Sequence, residues 1–312
     1  MLTVYSTPKL KAPVLICGFS GWADAASAAS GALRYLQIKR PGRRIAGFDA
    51  DSIYNYTTTR PLTLFDEQGQ RRIEWPSLEM TAIEVAEASH DLLVLVGPEP
   101  DLRWREWVRT LFDFAAQLQV SAVLTFGAFL AQVNFSGPAV LTGISLDPRM
   151  RDQLQRLGIE DSSYQGSTGI TTVILREAAE RGIPAASIWA AAPSYLSSTS
   201  NPKLAAALLG VAERLIGQDL WKGELETAGR EMERRVQDAL RSRPDLVNFL
   251  KQLRGESPEG AVPEEPSIDS EESPQTEDTD ELPSPEEVLK DLEEHLRRLR
   301  GDSDQGYGGE GA

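Results

Sequence analysis

Residues 13–30, PVLICGFSGWADAASAAS, decide the fold class that the sequence predicts. The apolar run at 14–17 predicts a strand that is buried on both faces, as in the middle of a parallel sheet. The glycines of 18–21 predict the turn that ends this strand. Trp22 and later small or apolar residues recur at helical spacing, which predicts a helix with Ser20 as its N-cap. A buried strand, a tight turn and a helix in this order are typical of an α/β fold.

The same alternation of strands and helices continues to residue 216. Apolar, β-branched runs predict strands at 44–50, 92–96, 121–126, 140–146 and 185–191. Helical spacing predicts helices at 101–118, with Asp101 as N-cap, and at 147–157, 166–181 and 201–216. Two short runs, 62–65 and 72–75, flank turn residues and predict a hairpin. The pattern favours helices packed around a largely parallel sheet.

The C-terminal part of the chain has a different character. The sequence predicts an α/β body at 1–217, a helical extension at 218–255, an acidic disordered linker at 256–285, a short amphipathic helix at 286–300 and a disordered terminus at 301–312. A narrow apolar stripe on the extension, formed by Leu225, Met232 and Val236, predicts a strap or an oligomer contact. The leucine face of 286–300, with Leu292 and Leu296 as anchors, predicts docking on the body or on a neighbouring subunit.

The charge of the chain is concentrated in this C-terminal part. The sequence has 32 basic and 47 acidic residues, a net charge of -15. Residues 256–312 contain four of the basic and 19 of the acidic residues, so the remaining 255 residues contain 28 of each. A neutral body with an acidic tail does not attract phosphate backbones, because nucleic-acid binding depends on lysine and arginine. Nucleic acid is therefore not an expected partner.

Composition excludes several other classes of protein. The single cysteine, Cys17, excludes an intrachain disulfide and a multi-thiolate metal site. The longest weakly polar run, 121–133, is shorter than the roughly 20 residues that a membrane helix needs. We therefore expect a cytoplasmic protein without a membrane segment, a metal or a cofactor.

The sequence contains few groups for catalysis. Its two histidines, His90 and His295, are not close in the chain to a candidate nucleophile, so a catalytic triad is not expected. Gly18 to Trp22 resembles a nucleophile elbow, but Trp22 stands where that motif needs glycine, so Ser20 is interpreted as a helix cap. No residue is therefore assigned a catalytic role.

Two loops and one strand end remain as candidate parts of a ligand crevice. The turn at 19–24 and the loop at 166–169 could each hold an anion at a helix N-terminus. We favour the interpretation that their glycines serve backbone geometry, and Asp24 would repel an anion. Glu99 and Arg103 follow a central strand, where open α/β sheets place their ligands, or they form a solvated salt bridge. The candidate crevice residues are Ser20, Trp22, Asp24, Glu99, Arg103, Trp104, Gly166, Thr168 and Gly169.

Six motifs in order resemble the proteasome assembly chaperone 2 family in its bacterial, chiefly actinobacterial form. They are GWADA at 21–25, WP at 75–76, GPEP at 97–100 with RW at 103–104, YQGSTG at 164–169, Trp189 with Pro193 and Tyr195, and NPK at 201–203 with LL at 208–209. The resemblance covers about 14–255. It implies a phosphorylase/hydrolase-like three-layer α/β/α sandwich, association into homo-oligomers, often trimers, and no established reaction for the bacterial members.

The chain departs from the family at two histidine-containing motifs. QVNFSGP at 132–138 replaces a Pro-His-Thr-Arg-Pro motif, and Pro193-Ser194-Tyr195 replaces Pro-His-Tyr. A ligand that depends on those side chains is therefore not expected here. We favour a non-enzymatic scaffold or chaperone-like protein that binds an unidentified protein partner. The alternative is an enzyme or a small-molecule (anion or nucleoside) binding protein, with Asp24 or Glu99 as general base.

Overall fold

A computed structural model describes residues 1–197 and 199–242. The chain divides into a unit at Met1–Glu233 and a second unit that begins at Arg234, and the fold below is that of the first unit. The linker at 256–285, the amphipathic helix at 286–300 with Leu292 and Leu296, the terminus at 301–312 and the end of the extension lie outside the described residues. The predictions made for them stay predictions.

The described residues form eleven strands. They are β1 (Leu2–Val4), β2 (Val14–Ser20), β3 (Arg43–Phe48), β4 (Leu62–Phe65), β5 (Arg71–Glu74), β6 (Leu78–Ile83), β7 (Leu92–Pro98), β8 (Ala122–Ala131), β9 (Leu141–Ile144), β10 (Glu160–Asp161) and β11 (Ala185–Pro193). Sequence patterns predicted β2, β3, β7, β8, β9, β11 and the β4–β5 hairpin. They missed β1 and β10, and also β6, in which the polar Glu79 and Thr81 alternate with buried residues.

The described residues also form seven α-helices, of which the last two follow the final strand. They are α1 (Ala28–Lys39), α2 (Ala50–Ile53), α3 (Trp104–Gln117), α4 (Pro148–Arg156), α5 (Ile170–Glu180), α6 (Pro202–Ile216) and α7 (Gly223–Ser242). Asp147 and Asn201 cap α4 and α6, because their side chains accept the N–H groups of Met150 and Leu204. Asp101 does not cap α3 as predicted. Its carboxylate accepts the N–H of Asn55, and α3 begins three residues later.

Nine strands form one sheet in the order β1-β3-β6-β7-β2-β8-β11-β9-β10. The four central strands, β7, β2, β8 and β11, are parallel to one another. The strands on either side join mainly by antiparallel pairing. The sheet is therefore mixed, and the expectation of a largely parallel sheet is correct only for its centre.

Helices cover both faces of the sheet, as a three-layer α/β/α sandwich requires. Alternate residues of β2 belong to two cores because successive side chains of a strand point to opposite faces. Val14 and Ile16 pack on the side of α1, α4 and α6. Leu15, Cys17 and Phe19 pack on the side of α3 and α5. Burial raises the pKa of the Cys17 thiol, so the sole cysteine is a core residue.

Candidate functional site

The candidate crevice lies at the carboxyl ends of the central parallel strands. β2 and β7 end side by side, with Ser20 opposite Pro98. The chain after β2 then meets β8, where Ala128 donates its N–H to the Ala23 carbonyl (2.8 Å). Open α/β sheets bind their ligands at this edge. Ser20, Trp22, Asp24 and Glu99 therefore all lie at or just after the carboxyl ends of the central strands.

Asp24 is the N-terminal cap of helix α1. One carboxylate oxygen accepts the N–H groups of Ala29 (2.8 Å) and Ser30 (3.1 Å), and the other accepts the Ser30 hydroxyl. The side chain is buried among these donors. Burial raises the pKa of Asp24, while the hydrogen bonds from Ser30 and Ala29 act in the opposite direction. Its oxygens are thus engaged with the helix, which is a structural role.

The prediction that Ser20 caps this helix is wrong. Ser20 is the last residue of β2, and its carbonyl accepts the N–H of Glu99 (2.9 Å). The helix starts at Ala28 because Ala26 and Ser27 adopt left-handed backbone conformations, with φ of 55° and 49°, and turn the chain before it. Only glycine adopts this region without strain, so alanine and serine at these positions carry no sequence signal for such a turn.

Glu99 plays the same role at helix α5. Its Oε1 accepts the N–H of Ile170, the first residue of the helix, at 2.7 Å. Burial raises the pKa of Glu99, and the hydrogen bond from Ile170 opposes this. A Cβ at Gly169 would lie 3.3 Å from Glu99 Oε1 and 3.7 Å from the ring of Trp22. Trp22, Glu99 and Gly169 therefore meet at one point of the edge.

Arg103 and Trp104 contribute to the start of helix α3. Arg103 pairs with Glu106, with 2.9 Å from Nε to the carboxylate, rather than with Glu99. Trp104 donates its indole N–H to the Pro100 carbonyl. Glu99 and Arg103 therefore do not form a salt bridge with each other. Glu99 caps helix α5, and Arg103 forms an exposed ion pair with Glu106.

The loop that leads into α5 is exposed except at its last residue. Gly166 and Thr168 are open to solvent, whereas Gly169 is buried beside Glu99. Tyr164 donates its hydroxyl hydrogen to the Ser167 carbonyl (3.1 Å), which folds the loop on itself. Of the three residues predicted here, Gly169 lies beside Glu99 and Trp22, and Gly166 and Thr168 are exposed.

Exposed apolar side chains also lie at the carboxyl ends of the central strands and in the loops beside them. We use the term edge patch for Trp22, Phe129, Leu130 and Tyr164, whose exposed fractions are 62%, 39%, 52% and 64%. Trp22 follows β2, Phe129 and Leu130 end β8, and Tyr164 is in the loop before α5. Sequence analysis missed Phe129 and Leu130 because it ended that strand at 126. The apolar letters of 128–131 could have extended it.

Trp189 packs closely against the strand that carries Phe129. Its ring lies over Gly127 of β8, where a Cβ would be 2.6 Å from two ring carbons. The indole N–H donates to the Ser187 hydroxyl (2.9 Å), which in turn accepts the Thr125 hydroxyl hydrogen (2.7 Å). This arrangement fixes the end of β8 and hence the position of the edge patch.

The described residues hold few other groups for chemistry. His90 lies at the amino end of β7, away from this edge, where Nδ1 is 2.8 Å from the Ala12 carbonyl oxygen. Residues 1–197 and 199–242 contain no cluster of three or more histidine, cysteine or acidic side chains placed to hold a metal ion. No helix within these ranges is long and apolar enough to cross a membrane.

The predicted stripe on the extension is distributed between the two units. In the first unit, Leu225 packs partly against the core on the α1 side, and Met232 is half-buried. In the second, Val236 is buried. The role of this stripe in association stays a prediction.

Comparisons with known proteins identify relatives of most of the chain. The model of the PAC2 family matches residues 18–240. A PAC2 family protein from Streptomyces avermitilis is 34% identical with a TM-score of 0.67, covering 74% of this chain and 97% of that protein. A proteasome-assembly chaperone homologue from Mycobacterium tuberculosis is 28% identical with a TM-score of 0.66, covering 72% and 94%.

A more distant structure shares the fold alone. An archaeal proteasome activator from Pyrococcus furiosus is 15% identical with a TM-score of 0.59, covering 77% of this chain and 98% of that protein. A search of curated proteins gave no match.

Proposed function

The chain belongs to the PAC2 family, and from this premise we propose that it is a non-enzymatic, chaperone-like scaffold that acts through contacts with other proteins. This proposal rests on the side chains that lie at the edge where open α/β sheets bind their ligands. There, Asp24 and Glu99 hold helix N-termini, and exposed apolar side chains, among them Trp22 and Phe129, lie at the same end of the central strands. Exposed aromatic clusters are typical of protein interaction sites.

The partners that we propose are proteasome subunits. A relative from Mycobacterium tuberculosis is described as a proteasome-assembly chaperone homologue, and its match covers 72% of this chain. An assembly chaperone must bind a surface that its client later buries. An exposed apolar patch on a rigid sheet edge fits this requirement, because buried subunit interfaces are themselves rich in apolar side chains.

The residues at this edge give less support to the alternative function, which is binding of an anion. A helix N-terminus attracts an anion through its free N–H groups and its dipole. At α1 and α5 the chain's own carboxylates, Asp24 and Glu99, already accept such N–H groups. An added phosphate would have to displace them or approach a like charge.

Binding of mycobacterial proteasome α and β subunits to immobilised protein tests this function. We expect the unmodified chain to bind, and the double variant Trp22→Ser/Phe129→Ser to bind at least about tenfold more weakly, since aromatic residues dominate interface energies. Ile38→Ser is the matched control, because Ile38 is 79% exposed on α1. Absence of binding, or equal loss in both variants, would contradict the proposal.

A further inference from the structure

A groove lies between helix α6 and the first turns of helix α7. Its volume is about 540 Å³, which is within the range of ligand-binding pockets. Small residues of both helices, among them Ala206, Gly210 and Gly229, lie along it, and all the residues that line it belong to the first unit. The groove shares no residue with the edge patch, so it is a second candidate binding surface that does not depend on the proposed function.

Two glycines allow the close contacts at the two ends of this groove. A Cβ at Gly229 of α7 would lie 2.9 Å from the Cα of Lys203, so the backbones touch there. A Cβ at Gly210 of α6 would lie 3.2 Å from Cε of Lys222, so the stem of this lysine packs against the helix. Positions 203 and 210 are seven residues apart, as are 222 and 229, which corresponds to roughly 10 Å of helix. The residues of both contacts line the groove, which therefore extends over at least this length.

The acidic residues of the groove are paired with its lysines. A carboxylate oxygen of Glu233 lies 3.0 Å from Lys203 Nζ. Carboxylate oxygens of Glu213 and Glu226 lie 2.7 Å and 3.3 Å from Lys222 Nζ. These pairs neutralise the three carboxylates that would otherwise repel an anion.

Two arginines of the groove have no such partner. Arg214 donates its Nε–H to the Gly210 carbonyl (3.1 Å), and Arg230 donates from Nη2 to the Thr227 hydroxyl (2.9 Å). Both residues are exposed, and within residues 1–197 and 199–242 neither guanidinium is paired with a carboxylate. Because a guanidinium carries five N–H donors, most donors of both arginines remain free for a ligand.

The positions of these arginines favour an extended ligand with more than one carboxylate. Guanidinium groups prefer carboxylates because they can bind both oxygens at once. Arg214 adjoins Glu213 at one end of the groove, and Arg230 adjoins Gly229 at the other. An extended peptide, at about 3.3 Å per residue, can place one carboxylate at each arginine, whereas a single small anion reaches both only if the two side chains converge.

We propose that this groove binds an extended acidic segment of a partner protein, in which one glutamate or aspartate pairs with Arg214 and another with Arg230. The charge of the groove complements such a segment, because its acids are already paired and its two arginines are not. The small side chains along the groove leave room for the backbone of the segment. The whole chain has a net charge of -15 and repels an acidic peptide, so binding requires a local basic site of this kind.

Fluorescence anisotropy with a labelled ten-residue peptide of alternating glutamate and serine tests the site on the full chain. We expect saturable binding that weakens as salt is added, because exposed ion pairs are screened. Arg214→Gln/Arg230→Gln should weaken binding about fivefold or more. Arg105→Gln/Arg109→Gln is the matched control, because it removes the same charge from two exposed positions of α3, and it should bind as the unmodified chain does. Equal loss in both double variants would overturn the proposal, and so would absence of binding to the unmodified chain, the result expected if the chain's own acidic residues filled the groove.

Two further peptides of identical composition test the contact at both arginines. One has two glutamates with four serine or glycine residues between them, and the other has the two glutamates adjacent. We expect the separated pair to bind the unmodified chain about threefold more tightly, because only its carboxylates are spaced to meet both arginines. This difference should disappear in Arg214→Gln, which keeps a single free guanidinium. Equal affinities of the two peptides for the unmodified chain, or a difference that persists in Arg214→Gln, would overturn the proposal.

Discussion

At the residue scale, the candidate site contains two carboxylates, Asp24 and Glu99, and both of them accept N–H groups at the start of a helix. Sequence analysis selected Asp24 and Glu99 as candidate bases, and the structure places both at the expected edge. It could not predict their role, because that depends on where the following helices begin. Ala26 and Ser27 shift the start of α1 by adopting conformations that their residue types rarely adopt. Glu99 reaches Ile170, which is 71 positions away in the sequence.

Replacement of Asp24 tests its capping role. Asp24→Ala leaves two buried backbone N–H groups and a hydroxyl without their acceptor, so we expect a loss of roughly 1 to 3 kcal/mol in the free energy of unfolding. Asp24→Asn keeps an acceptor oxygen and should lose less. Ser20→Ala is the control and should have little effect. Urea denaturation measures all three, and a larger loss for Ser20→Ala than for Asp24→Ala would contradict the assignment.

The pH dependence of stability tests the burial of the same carboxyl. Because burial raises the pKa of Asp24, the folded protein binds this proton more tightly than the unfolded chain does. The stabilisation is complete below the unfolded value of about 3.9 and is lost as pH rises through the raised folded value. Relative to Asp24→Asn, the unmodified protein should therefore gain melting temperature as pH falls from about 7 to about 4. A difference that is constant or opposite in sign would contradict this.

At the element scale, strands with continuous apolar runs were predicted well and edge elements were not. The runs at 14–17 and 92–96 became the central strands β2 and β7, because only a strand covered on both faces tolerates such sequences. β6 was missed although the alternation of Leu78 and Met80 with the polar Glu79 and Thr81 is itself typical of a half-buried strand. The β4–β5 hairpin was predicted correctly from its turn, but its separation from the main sheet depends on tertiary packing that no local pattern encodes.

The contact between β8 and β11 provides a test of packing. Gly127→Ala would place a methyl group 2.6 Å from carbons of the Trp189 ring, so we expect a loss of about 1 to 3 kcal/mol in stability. Gly31→Ala, in the interior of α1 with no atom near the added methyl group, should be neutral or stabilising by up to about 1 kcal/mol. Thermal and urea unfolding compare the two variants.

A double variant separates this clash from other effects of the mutation. Trp189→Ala removes the ring, so Gly127→Ala should cost less in that background than alone. Additive losses would show that the ring and the glycine are not in contact.

At the scale of the whole molecule, the charge-balanced part and the acidic part of the sequence are separated along the chain. Residues 1–255 are balanced in charge, whereas 256–312 carry the net charge of -15. Composition was sufficient to predict this separation. The fold class could also be predicted from the pattern of strands and helices. The order of the nine strands could not be predicted, because it depends on long-range pairing.

Truncation tests the independence of the body. Removal of 256–312 eliminates acidic residues and one predicted helix, but none of the described core. We expect a single cooperative melt, shifted by no more than a few degrees, together with a rise in the isoelectric point. An insoluble or non-cooperative product would show that the C-terminal residues belong to the core.

We propose that this protein works through an apolar contact surface rather than through catalysis. The time course of assembly of mycobacterial proteasome subunits on native gels, with and without the purified chain, tests this proposal. We expect the assembled particle to form faster with the unmodified chain, or with the Ile38→Ser variant, than without any added chain. We expect no acceleration with the Trp22→Ser/Phe129→Ser variant. An unchanged rate in the presence of the unmodified chain, or equal acceleration by the double variant, would contradict it.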